Sequence, residues 1–185
     1  DEDFGSPTDV FEQEKMLKLL KVAKESGLKI LTLEFSSEPS IIDKIEKLAS
    51  ARDFISSAVG MPFLDISQLP SYPIPPFKEN ASNILSLDMV KNFGTITNSA
   101  PFGRQDSFTL KMHETNFDMI AVEILHGRTP LSRRAVETLK YKKVGPRRLA
   151  LAYMDVGTAA SFQYYWQPGF QTGMPPWVSD PVPDD

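Results

Sequence analysis

The stretch Leu149–Trp166, LALAYMDVGTAASFQYYW, decides the fold that the sequence predicts. Its first six residues, Leu149 to Met154, form an apolar run of strand length, and the carboxylate of Asp155 follows directly. A buried strand that ends in an acid is typical of a parallel α/β sheet, which gathers its functional groups at the carboxyl ends of its strands. A cluster of aromatic residues follows this acid: Phe162, Tyr164, Tyr165 and Trp166.

The aromatic cluster has two interpretations. Aromatic faces beside an acid suit a sugar ring, which has apolar C–H faces and many hydroxyl groups. The same side chains supply large buried area in any protein core, so packing beneath a helix is the alternative.

Helix and strand patterns alternate along most of the chain. Apolar spacing and end signals predict helices at 11–26, 37–52 and 129–142, with Thr129 as N-cap and Pro130 as the first helical residue. Apolar runs predict strands at 28–35, 54–59, 92–97, 117–125 and 148–155. Strands that alternate with helices predict a parallel sheet with outer helices.

Length and composition limit the classes of protein that the chain can represent. A chain of 185 residues predicts one domain over 1–185, with a proline-rich linker or excursion at 61–80 and an acidic tail at 178–185. The net charge of −4, without a concentrated basic stretch, argues against a nucleic-acid partner. No apolar run is long enough for a membrane span. The absence of cysteine and of glycine-rich phosphate loops predicts no metal site and no cofactor.

Three carboxylates lie near the ends of predicted strands, namely Glu34, Glu123 and Asp155. A glycosidase needs two carboxyl groups about 5 to 9 Å apart, one as acid and one as nucleophile or base. Acids from neighbouring strands satisfy that need if they converge on one edge of the sheet. The alternatives are solvated strand ends or ion pairs with Lys29, Arg147 or Arg148. His126 follows a strand and either lines the same edge or faces solvent.

Residues Tyr153 to Trp166 resemble the signature of glycoside hydrolase family 114, the endo-α-1,4-polygalactosaminidase-like (β/α) barrels. That signature reads Tyr-hydrophobic-Ser-Ile-Gly-Glu-Ala-Glu-Asp-Tyr-Arg-Tyr-Tyr-Trp. The glycine and the final Tyr-Tyr-Trp are kept, and the later Pro175–Trp177 also fits the family. The family's two Glu, its Asp and its Arg are replaced here by Thr158, Ala160, Ser161 and Gln163.

The resemblance extends along the chain in a changed order. Leu17–Phe35 resembles the last helix–strand unit of these barrels, and Ala51–Ile55 the short element after it. Val90–Gly94, Phe117–Glu123 and Leu149–Trp166 resemble the first three strands. The resemblance therefore implies a (β/α)8 TIM-barrel-like fold that is partial or circularly permuted, because a complete barrel needs about 250 residues. A permutation, a tandem-barrel fragment and a segment of a longer protein all fit this order.

The resemblance implies an extracellular or secreted domain that acts on, or binds, an amino-sugar polysaccharide. If the domain is an active glycosidase, Glu123 and Asp155 are the acid/base pair and Glu34 supports them. The expected substrate-binding residues are Tyr153, Tyr164, Tyr165, Trp166 and His126. The alternative is a non-catalytic pseudo-enzyme used for glycan binding or protein assembly, which the replaced acids favour. In either version, a partial barrel is completed by a homo-oligomer or a second chain, by a further part of the same protein, or not at all.

Overall fold

The computed structural model of the protein describes residues 2–3, 6–60, 65–154 and 165–179. These residues form a mixed α/β structure with parallel strands. The helices are α1 (Val10–Glu25), α2 (Pro39–Ala51), α3 (Gln105–His113) and α4 (Arg133–Leu139). The parallel strands are β1 (Leu31–Phe35), β2 (Ile55–Val59), β3 (Phe93–Ile96), β4 (Met119–Glu123) and β5 (Leu149–Tyr153). The short elements are 3-10 helices at Leu87–Met89 and Ala100–Phe102, and two-residue strands at Glu2–Asp3, Ser6–Pro7, Leu125–His126 and Thr129–Pro130.

The five parallel strands form two sheets. Strand β1 pairs with β2, and β3, β4 and β5 pair in that order. The prediction of a mixed α/β chain with parallel strands is confirmed, whereas α3, between β3 and β4, was not predicted. The described strands do not form a complete eight-stranded barrel.

Each sheet has a helix face and an opposite face, because side chains alternate along a strand. On the helix face, Ile96, Ile120 and Val122 pack with buried side chains of α3 and α4. On the opposite face, Met119 packs with Ile55 and the rest of a second apolar cluster, which consists of Ile84, Val90, Phe93 and the partly buried Leu33 and Leu149. Leu33 is partly buried against both clusters, so β1 packs with residues of each.

The proline-rich segment between β2 and β3 packs along the sheets. It is irregular from residue 66 to residue 86. Near the carboxyl end of β3, the Ile66 N–H donates to Thr97 Oγ1 at 2.9 Å, and the Thr97 N–H donates to the Ile66 carbonyl at 3.0 Å. Ile66 and Ile84 are fully buried, so the segment contributes to the core near both of its ends.

A buried ion pair joins this segment to the amino ends of the strands. Lys142 Nζ lies 2.6 Å from Asp118 Oδ1, and both side chains have 0% exposure. The same ammonium donates to the carbonyls of Asn80 and Ser82, and Asp118 Oδ2 accepts the Lys91 N–H at 2.8 Å. Both charges therefore have hydrogen-bond partners, which buried charges require.

The prediction for the start of α4 is wrong. Thr129 and Pro130 do not open a helix; they pair antiparallel with His126 and Leu125 around Gly127, whose φ is +62°. The helix begins at Arg133, and its N-cap is Ser132, whose Oγ accepts the Ala135 N–H at 3.2 Å. A two-residue turn at Gly127–Arg128 joins the two strands of this hairpin. The Thr129–Pro130 pattern, which is typical of a helix start, did not indicate it.

The other helix predictions agree with the structure. Helix α1 begins after Asp9, whose carboxylate accepts the Phe11 N–H at 2.9 Å, and it ends before Gly27. Helix α2 has Pro39 as its first residue. Within the described parts of the chain, none of the helices has the length and apolar character needed to cross a membrane.

We expect Lys142→Met to destabilise the protein strongly, by about 3–5 kcal/mol, because it leaves the Asp118 carboxylate buried without its cation. Urea denaturation measures the change. The matched control is Lys140→Met, which removes the exposed Lys140–Glu137 pair at 2.7 Å and should change stability by about 1 kcal/mol or less. Equal losses in the two variants would contradict a structural role for the buried pair.

We expect Gly94→Ala to destabilise the protein by about 1–3 kcal/mol through overpacking. An added Cβ would lie 2.7 Å from a ring carbon of Phe117, which is itself in the core. The double variant Gly94→Ala/Phe117→Leu removes the ring and should lose less than the sum of the two single losses. Strict additivity in a double-mutant cycle would show that this contact is not the cause.

Candidate functional site

Glu123 and Tyr153 lie side by side at the carboxyl ends of β4 and β5. They are partners in the parallel register, so their side chains project from the same face of the sheet. This is the face opposite the helices. Glu123 is only 8% exposed, and Tyr153 is half-buried. The strand ends therefore bring together an enclosed carboxyl group and an aromatic hydroxyl group.

The structure does not bring Glu34 to that face. Glu34 pairs with Ala58 in the parallel register, and Ala58 is on the same side of β2 as Ser56, whose hydroxyl donates to Glu46 of α2 at 2.9 Å. The Glu34 side chain therefore projects from the face that packs against α2. The prediction placed the three acids by the ends of their strands and took no account of this alternation. Burial raises the pKa of Glu34 above its ordinary value.

His126 is held by both of its ring nitrogens. Nδ1 lies 3.0 Å from Ser99 Oγ, and Nε2 lies 2.6 Å from the Gly103 carbonyl. Because a carbonyl only accepts, Nε2 carries a proton. The Ser99 hydroxyl that Nδ1 contacts also donates to the Leu125 carbonyl at 3.4 Å. The ring also stacks on Phe108, with centroids 5.9 Å apart. His126 thus fixes the hairpin after β4 to the loop after β3.

Gln105 makes a second link at this edge. Its Nε2 donates to the Pro130 carbonyl at 3.1 Å, and its Oε1 accepts the Ser132 N–H at 2.9 Å. Gln105 and the buried Ser99 hold the loops around Glu123, and sequence reasoning missed both. No local pattern points to either residue, because their partners are 25 to 27 positions away in the chain.

The cations considered as partners for the acids have other contacts. Arg148 is buried and donates to Thr115 Oγ1 and to the Met112 carbonyl, each at 2.8 Å. Burial lowers the pKa of Arg148 to about 10. Lys29 donates to the Asp88 carbonyl at 3.1 Å, and the Arg147 guanidinium lies over the Tyr141 ring.

The aromatic residues after β5 are described in part. Asp155 and Tyr164 lie outside the described residues, whereas Tyr165 and Trp166 lie within them and are half-buried. Trp166 packs against Phe170 at 5.4 Å, and Phe170 packs edge-on against Trp177 at 5.5 Å. Trp177 is 58% exposed, so it carries the most accessible ring face of this cluster.

The described residues contain no group of three or more His, Asp or Glu side chains that could hold a metal ion. Among the described residues, this edge carries the carboxyl group of Glu123 and the phenol of Tyr153. An acid of this kind can donate or accept a proton at a substrate oxygen.

We expect the contribution of Glu34 to stability to fall as the pH rises. Its raised pKa means that the folded state binds this proton more tightly than the unfolded state. The contribution is complete below the ordinary value of 4.5 and is lost as the pH rises through the folded pKa. Glu34→Gln should therefore gain stability relative to the wild type between about pH 4 and about pH 7, measured by urea denaturation. Glu14→Gln, on the exposed surface of α1, is the control; an equal gain there would refute the assignment to Glu34.

Comparison of the chain with protein families, with curated proteins and with solved structures finds no match.

Proposed function

We propose that this chain is a carbohydrate-active domain of the glycoside hydrolase family 114 type, acting on or binding amino-sugar polymers outside the cell. The supporting observation is the register of β4 and β5, which puts Glu123 and Tyr153 on one face at the carboxyl ends of the strands. Parallel α/β proteins build their sites at this end. The resemblance of Tyr153–Trp166 to the family signature supplies the substrate class.

The proposal includes a partial or permuted (β/α)8 barrel. The five parallel strands follow one another in chain order within their sheets, and helices cover one face. In such an arrangement the opposite face becomes the barrel interior, which Glu123 and Tyr153 would then face. Leu151 lies on the same face and is 44% exposed.

In the active version, Glu123 and Asp155 act as the two carboxyl groups of a glycosidase. One protonates the leaving oxygen of the glycosidic bond, and the other acts as nucleophile or as base toward water. Glu34 has no part in this pair, because its side chain projects from the helix face. Tyr153 and the aromatic residues near Trp166 would bind the sugar rings by stacking and hydrogen bonding.

The second candidate is a non-catalytic relative that binds a glycan or serves protein assembly. The signature favours it, because Thr158, Ala160 and Ser161 replace the family's acids. His126 also supports it, because both ring nitrogens already have partners within the protein. The exposed Leu151 would in this version contact a second copy or another chain.

We expect Glu123→Gln to abolish the release of reducing ends from an α-1,4-galactosamine polymer while leaving affinity for the polymer mostly intact. The amide has nearly the shape of the carboxyl group and cannot transfer the proton. Reducing-end release measures activity, and calorimetric titration with the polymer measures binding.

Glu34→Gln is the matched control and should keep the wild-type rate, since its side chain lies on the other face. Wild-type protein that binds the polymer without cleaving it would favour the non-catalytic version. Wild-type protein that neither binds nor cleaves it would refute the proposed substrate class.

A further inference from the structure

A cleft of about 190 Å³ lies beside the carboxyl ends of β1 and β2, away from Glu123. Its base is apolar and includes Ile42 of α2, together with Ala58 on the helix face of β2. Leu69 and Pro70 of the proline-rich segment form the facing wall. The cleft therefore lies between α2 and that segment, on the helix side of the sheet.

The walls of the cleft are held by contacts within the protein. The Ser36 N–H donates to the Val59 carbonyl at 2.8 Å, which fixes the loop after β1 to the end of β2. The Tyr72 hydroxyl donates to Asp43 Oδ1 at 2.6 Å, which fixes the proline-rich segment to α2. A cleft with fixed walls does not have to be ordered when a ligand binds, which favours affinity.

Among the described residues, the rim of the cleft is polar and uncharged. Ser37, Gln68 and Ser71 line it, and within the described part of the chain their side chains make no hydrogen bond. None of the described lining residues has a charged side chain. The hydrogen bond to Asp43 raises the pKa of Tyr72, so its hydroxyl stays neutral.

We propose that this cleft binds one neutral polyhydroxylated ring, such as a single sugar residue. The apolar base suits the C–H face of the ring, and the serine and glutamine groups suit its hydroxyls. The volume is below the roughly 300–1,000 Å³ of pockets that enclose drug-sized ligands, so the cleft accommodates one ring rather than a chain. An anionic or cationic ligand would find no counter-charge among the described lining residues.

This inference deepens the proposed function, because it adds a second sugar-binding position apart from the carboxyl ends of β4 and β5. It uses none of the residues assigned to catalysis. The two sites can therefore be tested separately in one protein.

The test is an NMR titration of the ¹⁵N-labelled chain with N-acetylgalactosamine, a neutral probe. Amide signals of Ser37, Gly60, Gln68 and Ser71 should shift at millimolar sugar. The double variant Gln68→Ala/Ser71→Ala should bind about tenfold more weakly, as the loss of two neutral hydrogen bonds predicts. The matched control is Gln167→Ala/Ser86→Ala, which removes the same side chains from exposed positions elsewhere and should bind like the wild type.

Three results decide the inference. Unshifted cleft amides, or equal affinity in the cleft variant and its control, would overturn it. Tighter binding of galactosamine or galacturonate, which carry a charge on the same ring, would overturn the neutral-ligand assignment. Cleft shifts that persist in Glu123→Gln support it, even if the wild-type protein neither cleaves nor binds the polymer at its strand-end site and the proposed function fails.

Discussion

The ion pair between Lys142 and Asp118 ties together parts of the chain that are far apart in sequence. Lys142 is 60 positions from Ser82 and 62 positions from Asn80, and it binds the carbonyls of both. Asp118 directly precedes the first residue of β4, Met119. Both charges are buried away from water, so each needs the other as its counter-charge and holds it in place. The proline-rich segment is irregular from residue 66 to residue 86. It is held in place by this ion pair near one end and by the hydrogen bond of Ile66 at the other.

This arrangement separates the two ends of the strands. The amino ends are filled by satisfied buried groups, among them Asp118, Asn92 and Arg148. The carboxyl ends carry Glu123, Tyr153 and the cleft lined by serine and glutamine. Substitutions of Asp118 or Arg148 should therefore act on stability, whereas those of Gln68 or Ser71 in the cleft should act on binding.

Much of the fold follows from the sequence because its signals are local. The apolar periods of α1 and α2 and the apolar runs of β4 and β5 predicted those elements close to their observed bounds. The start of α4 did not follow, because Thr129–Pro130 has the local signs of a helix start and the hairpin partner Leu125–His126 overrides them. Ser99, Gln105 and the Lys142 pair could not be predicted, since their partners are brought close only by the folded chain.

The acids show the same limit within a single element. Glu34 and Glu123 both lie near the carboxyl end of a strand, so their positions in the sequence predict that they belong to one site. The face that each side chain takes depends on whether its position in the strand is odd or even. In β1 and β2 this is shown by Ser56, which bonds to α2, and in β4 by Met119, which packs away from α3 and α4. Glu123, four positions after Met119, is therefore on the face away from the helices, whereas Glu34, which pairs with Ala58, is on the face that packs against α2. Two acids at the same edge of a sheet can therefore act together only if their side chains also project from the same face of the sheet.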